Sequence, residues 1–130
     1  SAPGDVTPAF APTVTAPAPL EAPFQNVTLV DGVATTITWT AGDGGARSIQ
    51  LMLVVGWHGA PPEATMICET DDDGSLAIPG SLITALPRAS SGLESHPSWI
   101  LRFDRSVVAA PAGPIEVVVG SQLGLYFAHP

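Results

Sequence analysis

ATTITWTAGDGGARSIQLMLVVGW, residues 34–57, decides the fold class. In its first seven residues Ile37 and Trp39 fall on one side and Thr36, Thr38 and Thr40 on the other. Period-two alternation rich in β-branched residues marks a strand with one buried face. Gly42-Asp43-Gly44-Gly45 then breaks the pattern as a turn. From Ser48 to Trp57 the chain is apolar on both faces, which predicts a central strand covered from two sides.

The same rhythm continues in both directions. Val27 and Leu29 alternate with Thr28 ahead of an Asp31-Gly32 turn. Strands are predicted over Ala64–Glu69 and Ser75–Ile78, separated by the turn Asp71–Gly74. Pro79–Leu86 predicts a single helical turn, with Pro79 near its start and Leu82, Ile83 and Leu86 at helical spacing. After a polar loop, residues 87–98, further strands are predicted over Trp99–Arg105, Ile115–Ser121 and Leu123–Phe127, with a turn at Pro111–Pro114. Trp99, Leu101 and Phe103 face one way, and Trp39 and Trp99 are expected in the core. Eight short strands punctuated by turns predict an all-β, antiparallel β-sandwich over residues 25–130, preceded by an extended Pro/Ala-rich arm over residues 1–24.

Ile37-Thr38-Trp39-Thr40, the Gly-Asp-Gly-Gly turn and the apolar strand from Ile49 resemble the second and third strands of fibronectin type III-like and immunoglobulin-like modules. In those modules a tryptophan on the second strand lies between the sheets. The chain departs from the family where Leu51 and Met52 replace a third-strand tyrosine, and where Trp99 stands instead of a tyrosine before the penultimate strand. Cys68–Pro79, CETDDDGSLAIP, is similar to sandwich repeats in secreted and surface proteins of high-GC bacteria. The resemblance implies a spacer or adhesive role and an extracellular or cell-surface setting.

Composition narrows the function classes. The 130 residues leave room for one domain and an arm. A net charge of −8, with four arginines and no lysine, argues against nucleic acid and anionic membrane surfaces as partners. Without lysine there is no Schiff-base or P-loop chemistry. No apolar run approaches bilayer length, so membrane insertion is not expected. Ser1-Ala2-Pro3 fits the start of a processed chain. Gly42–Gly45 is not a nucleotide-binding fingerprint, Ser95-His96 lacks a nucleophile elbow, and His58, His96 and His129 lack metal-ligand spacing. No enzyme activity, catalytic residue or cofactor is therefore expected. Asp71, Asp72 and Asp73, with Glu69 nearby, form a candidate calcium site, set against the plain reading of a hairpin turn. Cys68 is read as a small buried hydrophobe, with an intermolecular disulfide or reactive thiol as the alternative. Trp57 is a candidate carbohydrate-stacking platform, and Asn26-Val27-Thr28 matches a glycosylation acceptor.

The arm carries the functional argument. Half of its 24 residues are proline or alanine, and six prolines rule out a helix. In an extended chain Val6, Phe10 and Val14 share a face, and Pro8 and Pro12 remove donors from one edge only. The other edge, served by Thr7, Ala9, Ala11, Thr13 and Thr15, keeps its N–H groups. Such a strand pairs on one side and is blocked on the other. The expected partner is a copy of the same chain or a neighbouring β-sandwich subunit, joined by strand donation through Val6, Pro8, Phe10, Pro12 and Val14. The expected function is a structural subunit of an extracellular filament or surface assembly. Alternatives are an adhesin or carbohydrate-binding module using Trp57 and the 87–98 loop, and a viral capsid or tail decoration protein. A polyproline II spacer is the other reading of the arm.

Overall fold

A computed structural model describes residues 11–23, 26–42, 48–56, 60–88 and 97–130. The elements are β1 (Asn26–Thr28), β2 (Thr35–Thr38), β3 (Ser48–Val55), β4 (Ala64–Asp71), β5 (Ser75–Ile78), α1 (Gly80–Ala85), β6 (Ser98–Ala110) and β7 (Gly113–Ala128). The described residues are thus mostly β, with one short helix among them. Five strands form a sheet in the order β1-β7-β6-β3-β4, and β2 pairs with β5 in a second sheet. Pairing is antiparallel throughout except that β1 runs parallel to β7, so the larger sheet is mixed. The expectation of purely antiparallel pairing fails at this one strand.

Seven strands stand among the described residues where eight were expected. The last two expected strands are one. Pairing of β6 with β7 runs unbroken from Ser98↔Leu125 to Ala110↔Gly113, straight through Gln122. A single polar residue at an outward position interrupts nothing in a period-two pattern.

The core cluster draws on both sheets. Ile37 and Ile78 from the small sheet share one cluster with Ile49, Leu51, Leu53, Ile100 and Leu125 from the large one, together with Leu20, Leu29, Trp39 and Ile83. Trp39 is in the core as expected. Trp99 is not, being half-buried on the opposite face of β6 from Ile100. Where the β3–β6 ladder ends, the buried Ser98 hydroxyl accepts from the Val54 N–H at 2.9 Å. β6 is apolar on both faces, so its alternation alone does not choose an inward side; register with β3 and β7 does.

The helical turn forms where proline and leucine spacing place it. Pro79 is its extended N-cap, with φ −60° and ψ 140°. Ile83 is buried, whereas Leu82 points outward at 46% exposure. Thr84 Oγ1 accepts from the Gly32 N–H at 2.8 Å and donates to the Gly80 carbonyl at 3.0 Å. This tie brings the helix start against the β1–β2 turn so closely that a Cβ on Gly80 would lie 2.3 Å from the Gly32 carbonyl carbon. Helix propensity alone would make Gly80→Ala stabilising by up to about 1 kcal/mol. The backbone clash reverses the sign, and a loss of about 1–3 kcal/mol is expected from the urea midpoint at unchanged slope.

Candidate functional site

β6 directs its even-numbered residues inward, and one of them is Arg102, only 2% exposed. A buried guanidinium must find acceptors for its donors. Here Nη1 donates to the Pro19 carbonyl at 2.9 Å and the Ala18 carbonyl at 3.3 Å, and Nη2 donates to the Thr40 carbonyl. Asp72, in the β4–β5 turn, supplies the counter-charge. Its Oδ1 accepts from Nη2 at 3.1 Å, and its Oδ2 stands 2.7 Å from Nε as an ion contact outside hydrogen-bond alignment. Trp39 Nε1 donates to the same Oδ1 at 2.8 Å. Gly42 passes so close that a Cβ there would sit 2.4 Å from Asp72 Oδ2. One cation thereby gathers the arm, the end of β2, the β4–β5 turn and β6.

Arg102 holds the root of the arm. Pro17 and Leu20 are buried, the Leu20 N–H donates to Ser121 Oγ at 2.8 Å, and the Thr40 N–H donates to the Glu21 carbonyl at 2.7 Å. Core packing therefore begins before residue 25. Further out, Pro12 and Val14 are half-buried while Ala11, Thr13 and Thr15 are exposed. Val6, Pro8, Phe10 and Trp57 lie outside the described residues, as do His58, His96 and most of the 87–98 loop.

Prolines also explain why the arm leaves the sheet. The Leu29 N–H donates to the Ala128 carbonyl at 2.8 Å, so odd-numbered residues of β1 face β7. Carried backward, that ladder would need donors from Pro23, Pro19 and Pro17, none of which has an N–H. Among the described residues the pairing begins at Asn26, and Pro17 and Leu20 are buried against the core rather than laddered to β7. The β7 edge from Pro114 to Gly124 has no strand partner among the described residues.

Beyond Phe103 the sheet narrows to two strands among the described residues. β3 pairs with β6 only from Trp99 to Phe103, whereas the β6–β7 pairing continues from Asp104↔Val119 to the tip. These seven pairs form a ribbon roughly 20 Å long. Ser106, Val108, Ile115, Val117 and Val119 are half-buried on its core-side face, and Val107 (64%) and Val118 (48%) are exposed on the other. At its base Arg105 lies over the Phe103 ring and pairs with Glu116 at 2.8 Å.

A second polar tie secures the end of β7. His129 is fully buried, with Nδ1 3.0 Å from the Pro87 carbonyl and Nε2 2.9 Å from Asp31 Oδ1. Both partners are acceptors, so the ring donates to both only when each nitrogen carries a proton. Arg88 pairs with the other Asp31 oxygen and also donates to the Pro130 carbonyl. The His129 hydrogen bond, helped by the Arg88 charge, holds the Asp31 carboxyl below its ordinary range.

The acidic turn does not converge on a cation. Asp71 ends β4 pointing outward, Asp72 points inward to Arg102, and Asp73 Oδ1 accepts from the Ser75 N–H at 3.2 Å. Among the described residues no group of three or more potential ligands is assembled. Consecutive residues at a strand end point in alternating directions, so these three carboxylates diverge. Cys68 is half-buried against the core, and burial raises its thiol pKa, as befits a packing residue. Arg102, Leu20 and His129 escaped the sequence reading. For Arg102 the available signal was its place two residues after Ile100 in an inward-facing series.

Arg102→Met leaves the Asp72 charge buried and unpaired, so a loss of about 3–5 kcal/mol is expected in urea unfolding. Adding Asp72→Asn should return part of that loss, a coupling read from the double-mutant cycle. Asp31 should shape the acid limb of stability. Its folded pKa is depressed, so its contribution is present above the unfolded value of about 4 and is lost as pH falls through the folded value. Asp31→Asn should therefore flatten the drop in Tm between about pH 5 and pH 3. No protein-family description, curated protein or solved structure matches this chain.

Proposed function

We propose that the protein is a structural subunit of an extracellular or surface assembly, joined to neighbouring copies by its N-terminal arm. The observation that carries this reading is the two-faced burial of the described arm. Pro12 and Val14 turn inward and Ala11, Thr13 and Thr15 outward, while no hydrogen bond engages the backbone of Ala11 to Ala16. A segment with patterned side chains and unused backbone groups is suited to adding to another sheet. We also read the two sheets as the halves of a β-sandwich. The single core cluster shared by Ile37 and Ile78 with Ile49, Leu51 and Leu125 supports that arrangement. The acidic surface keeps free subunits apart until the arm engages.

Removal of residues 1–16, which spares the buried Pro17 and Leu20, should convert assemblies to monomers in sedimentation velocity with Tm little changed. A full-length Val6→Asp/Phe10→Asp/Val14→Asp variant should behave the same way. An unchanged size distribution in both would overturn the proposal.

A further inference from the structure

We infer that the acceptor for the arm is the open edge of β7, from Pro114 to Gly124, and that its occupant is the segment Val6–Ala16 of a second copy. This inference rests on the assembly reading above and adds the place of docking.

The edge can be read residue by residue. The Ala128 carbonyl faces β1, and β7 keeps an unbroken register with β6, so even-numbered residues of β7 direct N–H and C=O outward. Glu116, Val118, Gly120, Gln122 and Gly124 thus offer five N–H groups, and the carbonyl of Pro114 a further acceptor. Pro114 itself occupies an outward position, where a missing N–H costs the β6–β7 ladder nothing. The chain's own N-terminal segment is barred from this edge by Pro17, Pro19 and Pro23, which lack the donors that continuing the β1 ladder would require. Those prolines leave the edge without a strand partner among the described residues, next to a paired strand, a condition that natural sheets usually avoid by charge, bulges or a cover.

The segment Val6–Ala16 has the complementary design. It matches the open edge in length, eleven residues against eleven. Its prolines have changed parity, at 8 and 12 rather than 17, 19 and 23, so all five odd-numbered residues keep their N–H groups. Paired through those groups, the strand would present Pro8 and Pro12 outward and end the sheet there. The segment carries no charge, so it meets Glu116 without like-charge opposition. Laid antiparallel to β7, its even face, with Val6, Phe10 and Val14, would continue the half-buried stripe of Ile115, Val117 and Val119. A bare two-stranded ribbon is marginal in water, and a third strand would give it the width that stable sheets need.

Amide hydrogen exchange on the full-length protein, above and below its assembly concentration, tests the placement. The amides of Glu116, Val118 and Gln122 should gain at least tenfold protection on assembly, while those of Val117 and Val119, already bonded to β6, should not change. Val118→Pro and Gln122→Pro remove outward donors that the subunit itself does not use. Each should raise the assembly midpoint concentration at least tenfold with Tm preserved. Even-numbered amides left unprotected in assemblies that still require residues 1–16 would overturn the β7 placement and leave the assembly reading standing. Equal protection in dilute monomers would overturn it in favour of the arm covering its own edge. Protection that persists after removal of residues 1–16 would overturn it in favour of β7 pairing with β7 of another copy. A protein that stays monomeric at all concentrations would overturn both readings.

Discussion

Everything near the arm depends on how one buried guanidinium is satisfied. Arg102 sits in the middle of the large sheet, where water cannot reach its donors, and the chain must bring acceptors to it. Three carbonyls and a carboxylate arrive from three separate segments, each of which is thereby fixed in position. A hydrophobic residue at 102 would fill the same volume without imposing any of these constraints. The ion pair is thus better understood as a device for specifying geometry than as a source of stability. It determines where Ala18 and Pro19 lie, and so where the arm starts its departure from the body.

Proline placement works alongside this anchor. At 17, 19 and 23 the rings delete the donors a strand beside β7 would need, and the carbonyls of residues 18 and 19 turn to Arg102 instead. Backbone that cannot enter a ladder is in this way satisfied by a side chain. Among the described residues the edge of β7 is unpaired for the same reason that residues 17–20 are held on the core face. Two features that look independent in the sequence, a proline-rich leader and a long valine-rich hairpin, are linked through the hydrogen-bonding capacity of a few residues.

Much of the architecture was legible. Alternation located β2, β3, β4, β5 and β6, and Pro79 with its leucines located the helix. The reading faltered where a pattern was ambiguous or where partners were distant. β6 is apolar at Trp99, Ile100, Leu101 and Phe103, and the polar residue among them, Arg102, is buried, so pattern alone did not choose its inward face and misplaced Trp99. Asp71, Asp72 and Asp73 are adjacent in sequence, which does not show that their side chains diverge. The parallel pairing of β1 with β7 had no local signature, since nothing in Asn26–Thr28 names a strand a hundred positions away. His129 was invisible for the same reason, its partners being Pro87 and Asp31.

That long-range pairing also sets an order of events. The β6–β7 hairpin closes across a two-residue turn, whereas β1 must wait for Tyr126–Ala128. Local contacts form quickly, and distant ones carry a loop-closure cost that must be overcome first. During synthesis β1 is made well before Tyr126–Ala128, the segment it pairs with. For that interval β1 has no sheet of its own to join, and a strand whose partner is still unmade is exposed to any completed edge nearby.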